Sequence, residues 1–192
     1  MRVYLLFFVS VLSGCVETPA ERYKALEKSE LARGVRYDSL FKGLYFGMKY
    51  EDFRTYCYRK NTIDHDFKVG GLKSSWVECK LPTGMDYPAA INFYPEFAGG
   101  VISEMNASVY YDNAVFKDGI FEPDSLLMDV LDLMKQWYGK DFIKINSPDP
   151  LHDDIYVSIQ GNRRLTVYPS LSAEVKIWMV DLYNDNRKKK KD

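Results

Sequence analysis

The residues best suited to chemistry are the two histidines, and both have acidic neighbours. His65 lies between Asp64 and Asp66, and His152 precedes two further aspartates. Carboxylates beside an imidazole raise its pKa or help to hold a cation. Both segments can be interpreted simply as solvated polar loops. The functional alternative is that the two loops share a metal ion. Asp149, Asp153 and Asp154 could offer oxygen ligands to Ca²⁺. They lack the regular spacing of a calcium loop, and we therefore predict no metal site.

Sequence motifs that carry catalysis are missing from the chain. There is no G-x-S-x-G, H-E-x-x-H or C-x-x-C, and neither a phosphate-binding loop nor a dinucleotide-binding glycine pattern is present. The sequence therefore predicts no catalytic residue and no cofactor, and it favours a protein that is not an enzyme without deciding the question.

The first 15 residues form a separate segment. Arg2 precedes an apolar run from residue 3 to 12, which is shorter than the roughly 20 residues that cross a bilayer. The run ends in Leu12-Ser13-Gly14-Cys15, which resembles the lipobox of bacterial lipoproteins. That resemblance implies cleavage before Cys15, a diacylglyceryl group on its thiol, and a further acyl chain such as palmitate on the new amine. Two or more chains hold a protein stably on a membrane.

Residues near the lipobox refine this expectation. Val16 stands where an Asp would signal retention in the inner membrane, so the resemblance points to the outer membrane, with the side of the membrane left open. The alternative is an ordinary secretory signal peptide in which Cys15 occurs by chance. Beyond the first 14 residues, 25 basic residues face 27 acidic ones, a balance that argues against a nucleic-acid partner.

The remaining cysteines form a possible pair. Cys57 lies on the apolar side of a predicted helix, and Cys79 lies on the apolar side of a predicted strand. If both sides face one core, the two sulfurs can form a disulfide worth about 3 kcal/mol in the chain-entropy model. Two buried free thiols, which pack as small apolar side chains, are an equally good interpretation.

The chain after Cys15 divides into three parts. Residues 15–36 are predicted to be a lipidated N-terminus and tether, partly helical, because the apolar content of Thr18–Arg33 is low. A packed helix is the alternative for this segment. Residues 37–185 are predicted to form one α+β domain of two repeats, about 37–115 and 116–185. Residues 186–192 form a basic tail that attracts an anionic surface or is simply solvated.

The domain predicts a tandem helix–strand–strand–strand repeat. Phe53, Tyr56 and Cys57 keep the spacing of one helix face, and a shift of 74 residues places them on Leu127, Val130 and Leu131. The same shift brings Asn92–Pro95 onto Thr166–Pro169 and Met105 onto Met179, without a gap. We expect a six-stranded antiparallel sheet with two helices on one face and the other face open. Pro95 and Pro169 should mark edge positions, bulges or bends.

Aromatic residues provide the candidate binding surface. Trp76 and Trp178 alternate with apolar residues of their strands, so both should project from the face opposite the core. We select Trp76, Tyr94, Tyr168 and Trp178 as a possible exposed patch. The alternative is that they close the edges of a small core.

Two stretches carry a further resemblance. Phe46-Gly47-Met48, followed by Phe53, Cys57 and Asn61, and then Asn92–Phe97 (NFYPEF), resemble a family of bacterial lipoproteins that brings no known activity with it. More loosely, Gly47-Met48 at the start of a helix is similar to the SmpA/OmlA outer-membrane lipoproteins and the β-lactamase inhibitor protein. Those resemblances imply a binding or assembly module.

Taken together, the sequence predicts a lipid-anchored envelope protein that binds a protein partner without catalysis. A glycan- or peptidoglycan-binding or hydrolytic envelope protein is the alternative, and a structural envelope protein is a third hypothesis.

Overall fold

The computed structural model describes residues 17–70, 76–82, 84–112, 123–147, 154–170 and 173–184. The predicted signal peptide, Cys15, His152, Asp149, Asp153 and the basic tail lie outside these residues. The helices are α1 (Pro19–Ala32), α2 (Tyr50–Thr62) and α3 (Pro123–Tyr138). The strands are β1 (Phe67–Val69), β2 (Val77–Lys80), β3 (Ala89–Ala98), β4 (Val101–Tyr111), β5 (Ile143–Ile145), β6 (Ile155–Gln160), β7 (Arg163–Ser170) and β8 (Glu174–Asp181).

The eight described strands form one antiparallel sheet in the order β1-β2-β3-β4-β8-β7-β6-β5. This confirms the predicted α+β class. The prediction of six strands is wrong, because β1 and β5 add a short strand at each edge. After α1, the chain therefore forms one helix and four strands twice, and β4 and β8 meet at the centre of the sheet.

One face of the sheet, called here the inner face, is covered by α2 and α3. Phe53 and Cys57 of α2 and Val130 and Met134 of α3 enter the same core. Strand alternation supplies the other half of this core, as shown by the buried positions 89, 91 and 93 of β3. Opposite charges at the ends of α2, acidic at its first turn and basic at its last, also favour the helix.

The opposite face, called the outer face, carries α1 over β5 and β6. Thr18 and Glu21 form a capping box at the start of this helix. Tyr23, Leu26 and Leu31 pack against a small second core, whose buried members are Val157, Ile159 and Leu182. The prediction that residues 15–36 form a tether is therefore wrong for 19–32, which form the packed helix that was the alternative. The folded domain begins at α1 and not at residue 37.

The two central hairpins differ in length. Pro95 pairs with Met105, whereas Pro169 pairs with Val175, so the second hairpin is four residues shorter after its proline. The gap-free alignment of Met105 with Met179 is wrong for this reason. The first hairpin continues for three more pairs and contains a bulge after Glu96. The internal sequence repeat itself stays a prediction.

Both prolines lie where their strands have lost one neighbour. Pairing of β2 with β3 ends at Phe93, and pairing of β6 with β7 ends at Val167. Beyond these points, no described residue of β2 pairs with Pro95 and none of β6 pairs with Pro169. A proline, which has no N–H to donate, is tolerated where a strand lacks a neighbour on one side. The expectation that each proline marks a local edge is thus confirmed.

Candidate functional site

The four aromatic residues selected from the sequence lie on the outer face. Tyr94, Tyr168 and Trp178 occupy positions of β3, β7 and β8 that alternate with core residues. Trp76 directly precedes the buried Val77 of β2. Tyr94 is 45% exposed, Trp76 40% and Tyr168 37%, whereas Trp178 is half-buried. We call these four residues the aromatic surface.

Strand pairing fixes the arrangement of the aromatic surface. Tyr94 pairs with Asn106 of β4, which pairs on its other side with Trp178 of β8. Tyr168 lies on β7, two residues beyond Thr166, the residue opposite Trp178. Neighbouring strands are about 4.8 Å apart, so the rings of Tyr94 and Trp178 stand on strands about 10 Å apart.

Trp178 is held in place by two charged neighbours. Its indole Nε1 donates a hydrogen bond of 2.8 Å to Oε2 of Glu104. The guanidinium carbon of Arg164 lies 5.3 Å from the centre of the indole ring, a cation–π contact. The sequence alternation identified the face of Trp178 correctly but could not identify these partners.

A second polar group lies beside Tyr94 and Trp76. Glu78 accepts a hydrogen bond of 2.7 Å from the hydroxyl of Tyr110 and one of 2.9 Å from Nζ of Lys68. These two bonds lower the pKa of Glu78 below its ordinary range, against the opposing effect of burial. Burial, followed by the bond to Glu78, raises the pKa of Tyr110. At neutral pH Glu78 is therefore a carboxylate and Tyr110 a neutral phenol.

Lys176 completes the polar side chains in the centre of the face. Its Nζ donates 2.8 Å to Oγ of Ser108 on β4 and also bonds to Glu174. Asn92 lies in the same cross-strand row as Ser108 and Glu78. The Oδ1 atom of Asn92 is buried and has no hydrogen-bond partner among the described residues. The centre of the outer face thus presents positioned donors and acceptors between aromatic rings.

Other residues singled out from the sequence lie elsewhere. His65 is exposed in the turn after α2, with a φ of 55°. Asp154 bonds to Lys144 at 2.8 Å and to the backbone N–H of Ser147 at 3.1 Å. No group of three His, Cys, Asp or Glu side chains that could hold a metal ion occurs among the described residues.

The two described cysteines are buried in the core beneath the inner face. Cys57 on α2 and Cys79 on β2 are both free thiols in the structure, the alternative to the predicted disulfide. Burial, then the proximity of Cys79, raises the pKa of Cys57 to about 12, and burial raises the pKa of Cys79 to about 11. Both are therefore poor nucleophiles near neutral pH.

A buried polar cluster that the sequence did not predict joins the N-terminal segment to the turn between β6 and β7. Asp181 is fully buried and accepts bonds from Arg36 at 2.9 Å and from the side chain of Asn162 at 3.0 Å. The side-chain oxygen of Asn162 in turn accepts the backbone N–H of Tyr37 at 2.6 Å. Two of these contacts, Arg36 with Asp181 and Tyr37 with Asn162, join residues more than 120 positions apart, so no local sequence pattern could indicate them. The cluster is saturated by its own members and we assign it a structural role.

Comparison of the chain with protein-family models, curated proteins and solved structures finds no match. None of the described helices is long and apolar enough to cross a membrane.

Proposed function

We propose that this protein is a lipid-anchored module of the bacterial outer membrane that binds another envelope protein through the outer face of its sheet. The observation that carries the proposal is the aromatic surface. Three of its four side chains are between 37% and 45% exposed on a face that α2 and α3 leave uncovered. Grouped exposed rings are costly to keep in water, and they are enriched at protein interfaces.

Charged side chains around the rings support a protein partner. Glu78, Glu104 and Lys176 each have at least one bond to a neighbouring side chain on the same face. Side chains that are already held lose less conformational freedom on binding, so less of the interaction energy is spent on ordering them. Rings surrounded by fixed polar groups are the arrangement of an interface centre and its rim.

The lipid anchor is the second part of the proposal, and it is supported by the Leu12–Cys15 motif behind the basic and apolar start. Intact mass measurement on the membrane fraction tests it. We expect the mass of a chain cleaved before Cys15 and carrying acyl groups, and a Cys15→Ser variant should lose both changes. An unmodified chain of full length would refute the anchor.

Site-specific photo-crosslinking in cells tests the binding surface. A photoreactive amino acid at Tyr94 or Tyr168 should give a discrete adduct with an envelope protein. The matched control is Tyr58 of α2, which is 68% exposed but lies on a helix of the inner face. Adducts from Tyr58 alone, or no adduct from Tyr94 and Tyr168, would refute a protein-binding outer face.

A glycan ligand is the second candidate, and one observation favours it. Trp76 and Tyr94 are exposed on the same face as the carboxylate of Glu78. Aromatic faces and fixed amide or carboxylate groups are what a sugar ring can stack on and bond to. Titration with soluble peptidoglycan fragments should then change the tryptophan fluorescence, and Trp76→Ala should abolish that change. An unchanged spectrum at millimolar fragment would exclude this candidate.

A further inference from the structure

Two carboxylates face each other on the outer face, near the turn between β3 and β4. Glu96 of β3 and Glu104 of β4 are direct cross-strand partners. Met105, the next residue of β4, is buried in the core, so strand alternation directs both carboxylates outward. Side chains that stand directly opposite have Cβ atoms about 4.5–5.5 Å apart, and like charges there are destabilising. The chain therefore carries an electrostatic repulsion at this position.

The neighbours of the two carboxylates are neutral. Nδ2 of Asn106 donates 3.5 Å to Oε1 of Glu96, and Nε1 of Trp178 donates 2.8 Å to Oε2 of Glu104. No lysine or arginine that the structure describes forms an ion pair with Glu96 or Glu104. Arg164 stands on β7, two strands beyond Glu104. The repulsion between the carboxylates is thus not relieved by a described cation of the chain itself.

Two other carboxylates of the outer face are already neutralised. Glu78 pairs with Lys68 at 2.9 Å, and Glu174 pairs with Lys176 at 2.5 Å. Negative charge without a paired cation is therefore concentrated at the end of the face where β3 turns into β4. A binding partner complementary in charge brings a positive group to that end.

Tyr94 provides an aromatic ring beside the carboxylate pair. It precedes Glu96 by two residues on β3, about 6.8 Å along the face, and it is 45% exposed. A cation is attracted to the face of an aromatic ring within about 6 Å of its centre. The chain already contains one such arrangement, because the guanidinium of Arg164 lies over the indole of Trp178, whose N–H is bonded to Glu104.

We infer that the partner presents a cationic side chain, arginine or lysine, that docks between Glu96 and Glu104 and lies over the ring of Tyr94. This inference rests on the protein-binding outer face proposed above. A bound cation relieves the repulsion between the two carboxylates, and that relief contributes to binding. Arginine fits best, because its planar guanidinium can bond to carboxylates and stack on a ring at the same time.

Titration with a short cationic peptide tests the site. The full chain, isotope-labelled in its tryptophans and held in detergent micelles, is mixed with acetyl-Gly-Arg-Gly-amide or with its lysine or citrulline analogue. The indole N–H signal of Trp178 should shift with the two charged peptides and not with citrulline, and high salt should reduce the shift. Trp137, which stacks on Phe41 on the inner face, is the internal control. An equal shift with citrulline, or no shift at tens of millimolar arginine peptide, would overturn the inference.

Charge-neutral substitutions separate the carboxylate pair from the rest of the face. Glu104→Gln keeps an acceptor for the indole N–H of Trp178, and Glu96→Gln keeps the length of its side chain. Each should weaken the arginine peptide about fivefold, while the urea midpoint stays unchanged or rises because a like-charge contact is lost. Glu174→Gln is the matched control, since it removes a carboxylate that Lys176 already neutralises. Equal losses of affinity in all three variants would overturn the site.

The basic residues 187–191 of the same chain are a second source of cations. Without added peptide, a chain truncated after residue 186 should give the same Trp178 signal as the full chain. A change of that signal on truncation would overturn the inference, because the chain's own tail would then occupy the site.

Crosslinking in cells distinguishes this inference from the proposal on which it rests. A photoreactive residue at Tyr168 reports the partner and leaves Tyr94 in place. The adduct should fall about fivefold when Glu96→Gln and Glu104→Gln are combined, and it should persist in Glu174→Gln. No adduct from Tyr168 or Tyr94 in the otherwise unchanged chain refutes the binding face and this inference together. An adduct that the combined variant forms equally well refutes only the cationic side chain.

Discussion

Replacement of Gly161 by alanine tests how tightly the N-terminal segment is bound to the sheet. Gly161 has a φ of +54°, and a Cβ atom there would lie 2.2 Å from the carbonyl oxygen of Val35 and 2.9 Å from Cδ2 of Tyr37. Gly99 is the matched control, because it lies in the other hairpin turn with a φ of +60° and has no atom within 4 Å of its virtual Cβ.

The expected loss can be divided into two parts. The left-handed backbone costs an L-residue roughly 1–2 kcal/mol, and this cost is common to Gly161→Ala and Gly99→Ala. Only at position 161 must the backbone near Val35 move, which stretches the bond from Tyr37 N–H to Asn162 and the ion pair of Arg36 with the buried Asp181. Losing partners of buried polar groups costs about 1–3 kcal/mol each. We therefore expect a loss of about 3–8 kcal/mol for Gly161→Ala against about 1–2 kcal/mol for Gly99→Ala.

Urea unfolding followed by circular dichroism gives both free energies of unfolding on the same chain. Trypsin adds a local measurement, because the already exposed Arg33 and Arg36 can enter a protease site only when the chain around them is released from the sheet. Gly161→Ala should be cut there faster than Gly99→Ala under native conditions. Equal losses of stability, within about 0.5 kcal/mol, would show that the close approach of Val35 to the turn does not hold in solution.

Three further predictions concern the thiols, a buried carboxylate and a cation–π contact. At pH 8 the folded, reduced chain should react slowly with a thiol reagent, because burial raises the pKa of Cys57 to about 12 and that of Cys79 to about 11. In denaturant, two thiols should react if Cys15 is acylated and three if Cys15 is free. Fewer thiols should react before reduction if Cys57 and Cys79 are bonded to each other. Burial would raise the pKa of Glu30, but the Gly161 N–H, Lys140 and Arg33 together lower it. The contribution of the Glu30 carboxylate to the free energy of unfolding should therefore be lost as the pH falls below about 4.5. Glu30→Gln should flatten that part of the profile of urea-derived stability against pH. Arg163 lies 4.2 Å from the ring centre of Tyr138, so Tyr138→Leu should lose about 2 kcal/mol in urea unfolding and Tyr138→Phe less than about 1 kcal/mol; equal losses would contradict the ring contact.

Periodicity predicted the parts of the fold that depend on one face of one element. The spacing of Phe53 and Cys57 placed α2 on the core, and alternation around Trp178 placed that ring on the outer face. The edge strands β1 and β5 were missed because three residues are too few to show alternation. The side chains that contact Trp178 and Glu78 could not be predicted from the sequence for another reason. They come from neighbouring strands, and a single sequence does not show which strand residues stand opposite one another.

The misinterpretation of α1 as a tether has a physical cause of its own. Periodicity analysis weighs apolar side chains, and α1 offers only Tyr23, Leu26 and Leu31, which meet a small satellite core. The one fully packed side chain of the helix is Glu30, a residue type that is almost never buried unless it is paired. Its burial is compensated by the Gly161 N–H, Lys140 and Arg33, and only Arg33, three residues further along, could be identified from the helix sequence. The Gly161 N–H and Lys140 each lie more than 100 positions from Glu30 along the chain, so the contacts that hold the last turn of α1 on the sheet are of the kind that periodicity within one element cannot detect.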